Sequence, residues 1–141
     1  MAASTSRAAW WLSAYSASPA SARAAWDRGA LAAIPSSGDW RVVEAPLIRS
    51  VLAMQQIGSD RLGPALAAPA SGLAWWLVPA EEADQLDDLL TVHPAGWVLR
   101  CPPPAAAIEG RFWLELPDGS GRLTSAALLG AAFGPTGAVE R

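Results

Sequence analysis

The sequence predicts an α+β fold: a single, largely antiparallel sheet with helices packed on it. Three observations carry this. Short apolar runs bounded by glycine and proline, such as "GLAWWLVP", "GWVLRCPPP" and "RFWLELP", read as strands. Between them lie segments with apolar residues at helical spacing and capping residues at their ends. The spacers are short and turn-like, which suits antiparallel pairing better than the long crossovers of a doubly wound parallel sheet.

The elements follow in order. Arg7–Ala17 reads as a helix with Trp10, Trp11 and Ala14 on one side. "SPASARAAWDRG" starts a second helix, with Ser18 as N-cap, Pro19 at the first helical position, Ala22, Ala25 and Trp26 on one face, and Gly29 as the stop. "ALAAIPSSGDWRVVEAP" places two apolar runs around Ser36–Asp39, a hairpin signal. "LIRSVLAMQQIG" reads as a short helix ending at Gly58. "GPALAAP" and "GLAWWLVP" read as strands. "PAEEADQLDDLL" has acidic residues in its first turn, favourable to a helix dipole, and directs Leu86, Leu89 and Leu90 to the core. Two further strands follow; the second alternates Phe112, Leu114 and Leu116 with Arg111, Trp113 and Glu115. A turn at Asp118–Gly119 leads to a last helix capped by Thr124 or Ser125. The expectation is about four helices and five or six strands.

The chain of 141 residues has room for one domain, residues 1–141, able to bury about two-thirds of its surface. It is 52% hydrophobic and 16% charged, which excludes a disordered tail. Much of the apolar fraction is alanine, and eight tryptophans compensate, each burying on the order of 200 Å². Spread along nearly the whole chain, they suit one shared core better than one binding surface. All ten basic residues are arginine, a coding-composition effect that is discounted before any function is read from it. The net charge of −3 excludes a broad cationic surface for nucleic acid, though not a local arginine patch. The single cysteine, Cys101, excludes an internal disulfide and a cysteine-based zinc site. No apolar run reaches membrane-spanning length. The N-terminus only faintly resembles a signal peptide, its apolar middle being broken by Ser13, Tyr15 and Ser16; the chain is expected to be cytoplasmic.

The inventory for chemistry is thin. Glu81, Glu82, Asp84, Asp87 and Asp88 read as a solvated face; on a helix, Asp84 and Asp88 would stand one turn apart, close enough to share a cation. His93 precedes Pro94 in a turn and reads as exposed. "GSGRLT" lacks the lysine and spacing of a phosphate loop, and no serine sits in a nucleophile elbow. Cys101 follows Arg100 but lies in an apolar strand, where burial would make it inert. Arg100, Arg111 and Trp113 lie on successive strands; paired as a hairpin, they would place charge and a stacking ring on one outer face, the equipment of a single-strand binder.

"SGLAWWLVP", "GWVLRCPPP" and "RFWLELPDGSGRLTSAALLGAAF" resemble the C-terminal half of the bifunctional DNA primase/polymerase N-terminal domains, and more closely short actinobacterial proteins related to them. Gly72 to Val78, Gly96 to Pro103 and Phe112 to Leu116 follow the family's order, and the N-terminal helix pair with "DWRVVEAP" matches its opening more loosely. In active members, as the resemblance implies, a paired D-x-D holds metal, a histidine contacts nucleotide, and a later aspartate precedes the glycine-led strand. Here those places read Glu44–Ala45–Pro46, Trp75, and Thr91, Val92 and His93. The implied protein is a degenerate primase/polymerase-like domain: not an enzyme, with no cofactor, no metal site and no catalytic residue. Trp75 would fill the space of a polar catalytic side chain while Trp76 points the other way, under the helices. A binding surface is expected at the former cleft, near Glu44, Trp75, Arg100, Arg111 and Trp113. The partner is an unidentified protein or nucleic acid, not a membrane, and a homodimer is left open. The alternatives are a non-enzymatic single-stranded nucleic-acid binder and a residual metal-dependent nucleotidyltransferase using Glu44 with Asp84 or Asp88.

Overall fold

A computed structural model describes residues 2–134, with side chains described from residue 7 onward. The chain is α+β, built in three layers around a five-stranded antiparallel sheet. The elements run α1 (Ala2–Ser13), α2 (Pro19–Asp27), β1 (Ala32–Pro35), β2 (Trp40–Pro46), α3 (Leu47–Ile57), β3 (Ala65–Ala68) and β4 (Leu73–Pro79). A 3-10 helix (Ala80–Leu86) follows, then β5 (Thr91–Val92), β6 (Val98–Cys101), β7 (Phe112–Glu115) and α4 (Ala126–Phe133).

The central sheet has the order β5-β2-β4-β3-β7, while β1 and β6 pair separately as a two-stranded sheet. The expectation of one sheet is therefore corrected, and so is the hairpin around Ser36–Asp39. β1 pairs with β6, Ala32 opposite Cys101, while β2 pairs with β4 and β5. Ser37 and Trp40 still close a turn, but its two arms enter different layers. A turn signal reports a change of direction and not which strand becomes the neighbour.

Alternation along β2 and β4 assigns side chains to opposite faces. Trp40, Val42, Trp75 and Leu77 join Leu66 and Trp113 on one face and pack against α1, α2, β1 and β6 through Leu12, Trp26, Ile34 and Leu99. Val43, Ala45, Trp76 and Val78 occupy the other face, under α3, α4 and the 3-10 helix, against Ala53, Leu86, Leu129 and Phe133. The tryptophans thus serve two cores rather than one, and Trp10 is outside both, 58% exposed with the Arg23 guanidinium 3.6 Å from its ring. Among the described side chains of α1, the buried apolar ones are Ala8 and Leu12, one turn apart, and Ser13 is buried beside them.

Other local expectations shift for identifiable reasons. α1 ends at Ser13, four residues early, because the amides of Tyr15 and Ser16 turn back to Leu12 and Ser13 and reverse the chain into α2. Pro19 opens α2 as expected, but the Ser18 hydroxyl bonds Ser21 instead of capping. "AEEADQL" winds as a 3-10 helix rather than an α-helix, and the amides of Leu89 and Leu90 both return to the Leu86 carbonyl. Leu86 is buried, Leu90 is half-buried and Leu89 is turned toward solvent. Ser125, not Thr124, caps α4 by accepting from the amides of Ala127 and Leu128. Thr124 is buried and accepts from the Gly63 amide at 2.8 Å. At Gly63 an added Cβ would stand 2.5 Å from the Leu123 Cα, so only glycine permits this approach of two backbones.

Candidate functional site

Glu44, Trp75 and His93 meet at the end of the sheet where β2 gives way to α3. Register brings the first two together, because Glu44 lies directly opposite Trp75 on the neighbouring strand. On the other side of β2, Thr91 lies opposite Glu44 and Val92 opposite Val43; the His93 amide then donates to the Val42 carbonyl. One carboxylate oxygen takes both contacts: Trp75 Nε1–H donates to Glu44 Oε1 at 3.1 Å, and His93 Nε2 stands 2.9 Å from the same atom. An acidic side chain on an apolar sheet face needs such partners, since an unpaired charge there would lose its hydration without return.

The histidine is not the exposed turn residue expected. Its side chain is 17% exposed, its ring stacks on Trp97 at 3.8 Å between centroids, and its carbonyl accepts from Arg41 Nε at 3.0 Å. The signal was present, because the residue before a proline is held extended, the conformation an edge strand needs. What the sequence lacked was the partner strand. Arg41, itself half-buried, also approaches the exposed Asp84 at 3.8 Å.

Trp75 is nearly buried. Its ring carries the Arg111 guanidinium 4.6 Å from its centre, and Arg111 Nη1 donates to the Arg100 carbonyl at 2.7 Å. Trp76, on the opposite face, is fully buried; its Nε1–H donates to Ser50 Oγ and its ring meets the edge of Phe133.

The expected hairpin of Arg100 with Arg111 and Trp113 is absent: β6 pairs with β1, and β7 pairs with β3. Trp113 is buried opposite Leu66, with Nε1–H donating to the Pro102 carbonyl, so it offers no open ring face. Phe112 and Leu116 are exposed instead, the reverse of what the alternation suggested. Arg100 stands exposed on β6. The structure therefore gathers Glu44, Trp75 and Arg111 in one neighbourhood, leaves Arg100 at its margin and puts Trp113 in the core.

Beside Glu44 opens a cleft of about 400 Å³, with Pro46, Leu73, Asp87, Asp88 and Thr91 among its walls. Its carboxylates are dispersed: among the described residues, no group of three or more His, Cys, Asp or Glu side chains is placed to hold a metal ion. Asp84 is occupied with Arg41 rather than paired with Asp88. Cys101 is fully buried, and burial pushes its thiol far up, so thiolate chemistry has no access there. Among the described residues, no helix is long and apolar enough to cross a membrane. No protein-family model, curated protein or solved structure matches the chain.

Proposed function

We propose that the chain is a primase/polymerase-like domain that has lost polymer synthesis and acts as a binding or regulatory module through the cleft beside Glu44. One observation carries this reading. The three positions where the resemblance sets metal and nucleotide groups, Glu44, Trp75 and the residues at His93, converge on one hydrogen-bonded cluster. Two-metal phosphoryl transfer requires carboxylates that bridge two ions about 4 Å apart. Here the single carboxylate at the centre of the cluster is engaged by an indole and an imidazole, and Asp87 and Asp88 stand apart on the cleft wall. The scaffold is kept while the ion-bridging set is replaced by packing.

Isothermal titration with nucleoside triphosphates and magnesium or manganese is expected to show no metal-dependent binding, and primer-extension assays no product. Micromolar metal-dependent binding, lost on Glu44→Gln, would overturn the proposal. A second reading, single-strand binding without catalysis, draws on the adjacency of Arg100 and Arg111. It calls for a salt-sensitive gel shift that weakens in Arg111→Ala. The burial of Trp113 removes its main stacking platform.

A further inference from the structure

We infer that the outward face of α3 is a self-association surface, on which a second copy of this chain docks to form an antiparallel helix pair. No residue of α3 lines the cleft, so this surface stands whether or not the cleft binds anything. α3 carries apolar side chains on both of its faces. Ser50, Ala53 and Ile57 are buried against the sheet, where Ser50 Oγ accepts from Trp76 Nε1–H. At about 100° of rotation per residue, Ile48 and Leu52 fall on the opposite side, with Val51 next to them. They are 75%, 59% and 39% exposed, three of the eight large hydrophobic side chains that stand exposed among the described residues. A surface helix ordinarily turns its large apolar residues inward. α3 instead gives serine and alanine to the middle of its inner face, and isoleucine and leucine to the middle of its outer one. Single exposed apolar residues need no explanation, but a row of them along one helix marks a contact. Arg49, Gln55 and Gln56, all exposed, border the row, so it has the apolar centre and polar margin of an interface.

Charge and area select the occupant. α3 has no acidic residue, and its single charge is directed at the end of α4. Arg49 Nη2 donates to the Phe133 carbonyl at 3.1 Å, with the guanidinium 5.2 Å from the Phe133 ring. A nucleic acid or an anionic membrane therefore finds no cationic patch here. Two copies, each with a net charge of −3, repel one another in general, and α3 offers an apolar face free of that repulsion. The six outward side chains present on the order of 600 Å² per copy, so a pair buries about 1,200 Å², the low end for specific interfaces. The row is also self-complementary. About a two-fold axis between antiparallel helices, Ile48 of one copy lies on Leu52 of the other, and the same contact recurs across the axis.

Sedimentation equilibrium of the full chain, from about 5 to about 500 µM, tests this. The weight-average mass is expected to rise from 14.7 kDa toward twice that value. Added salt should leave the association unchanged or strengthen it, because the contact is apolar and the opposing net charge is screened. Leu52→Glu and Ile48→Glu, which place like charges in the contact, should each weaken association by roughly tenfold or more. Both positions are exposed, so far-UV circular dichroism and the denaturation midpoint of the dilute variants should match the parent. Trp10→Glu, at an exposed position on the other side of the sheet, should associate as the parent does. A parent protein monomeric at every concentration would leave the face to a different partner and overturn the proposal. A dimer that survives Leu52→Glu and Ile48→Glu, or one that is lost in Trp10→Glu, would overturn it equally. None of these results bears on the cleft, and metal-dependent primer extension would remove the binding-module reading without touching the dimer.

Discussion

Trp40, Trp75 and Trp76 share a residue type and near-complete burial, yet each answers to different neighbours. Trp76 Nε1–H donates to Ser50 Oγ, Trp75 Nε1–H to Glu44, and Trp40 Nε1–H, buried, has no partner among the described residues. Replacement by phenylalanine should separate the two that are fully buried, Trp40 and Trp76. Trp40→Phe loses ring volume but relieves an unsatisfied donor, whereas Trp76→Phe loses volume and also strands the Ser50 hydroxyl. Chemical denaturation should show Trp76→Phe the more destabilised, by about 1–2 kcal/mol. A larger loss in Trp40→Phe would mean that its N–H has a partner after all. Gly63→Ala is a second residue-scale test. The new methyl meets backbone rather than a yielding side-chain tip, so a loss of about 2 kcal/mol or more is expected.

At the scale of elements, α4 and β7 show how short segments depend on their ends. α4 has eight residues, too few to persist alone. Its first turn is held by the Ser125 hydroxyl and by Glu82 Oε1, which accepts from the Ala126 amide. Ser125→Ala should lower stability by about 1 kcal/mol, measured as a shift in the denaturation midpoint. In β7, burial holds the Glu115 carboxyl above the usual carboxylate range, partly countered by Arg122. A carboxyl raised on folding disfavours the folded state while ionised, and that cost disappears as the pH falls through its folded-state titration. Glu115→Gln should therefore raise thermal stability at pH 7 and flatten the gain that the parent protein shows on mild acidification. Unchanged melting at both pH values would contradict this. Strand and helix positions were largely readable, because alternation, caps and prolines are local. The winding of "AEEADQL" was not: acidic residues near a helix start are equally compatible with a 3-10 turn, and packing of Ala83 and Leu86 beneath the neighbouring elements decides.

For the molecule as a whole, two apolar layers on a five-stranded sheet account for the inertness expected of Cys101. Cys101 lies within the layer formed with α2 and β1, and its carbonyl accepts from Trp26 Nε1–H. Thiol reagents should fail to label the folded protein and should label it fully in denaturant. Labelling in buffer at the rate of a free thiol would show that this layer opens.

Order of elements, the proline start of α2 and the opposed faces of Trp75 and Trp76 are properties of neighbouring residues, and the amino-acid string determined them. Pairing is not local. Whether β1 joins β2 or β6 depends on which contact offsets the entropy of closing a loop, and that balance is struck only when all layers compete for the same surface. Tertiary structure alone therefore decided that there are two sheets, that Trp113 is core, and that His93, 49 residues from Glu44 along the chain, comes to rest on its carboxylate.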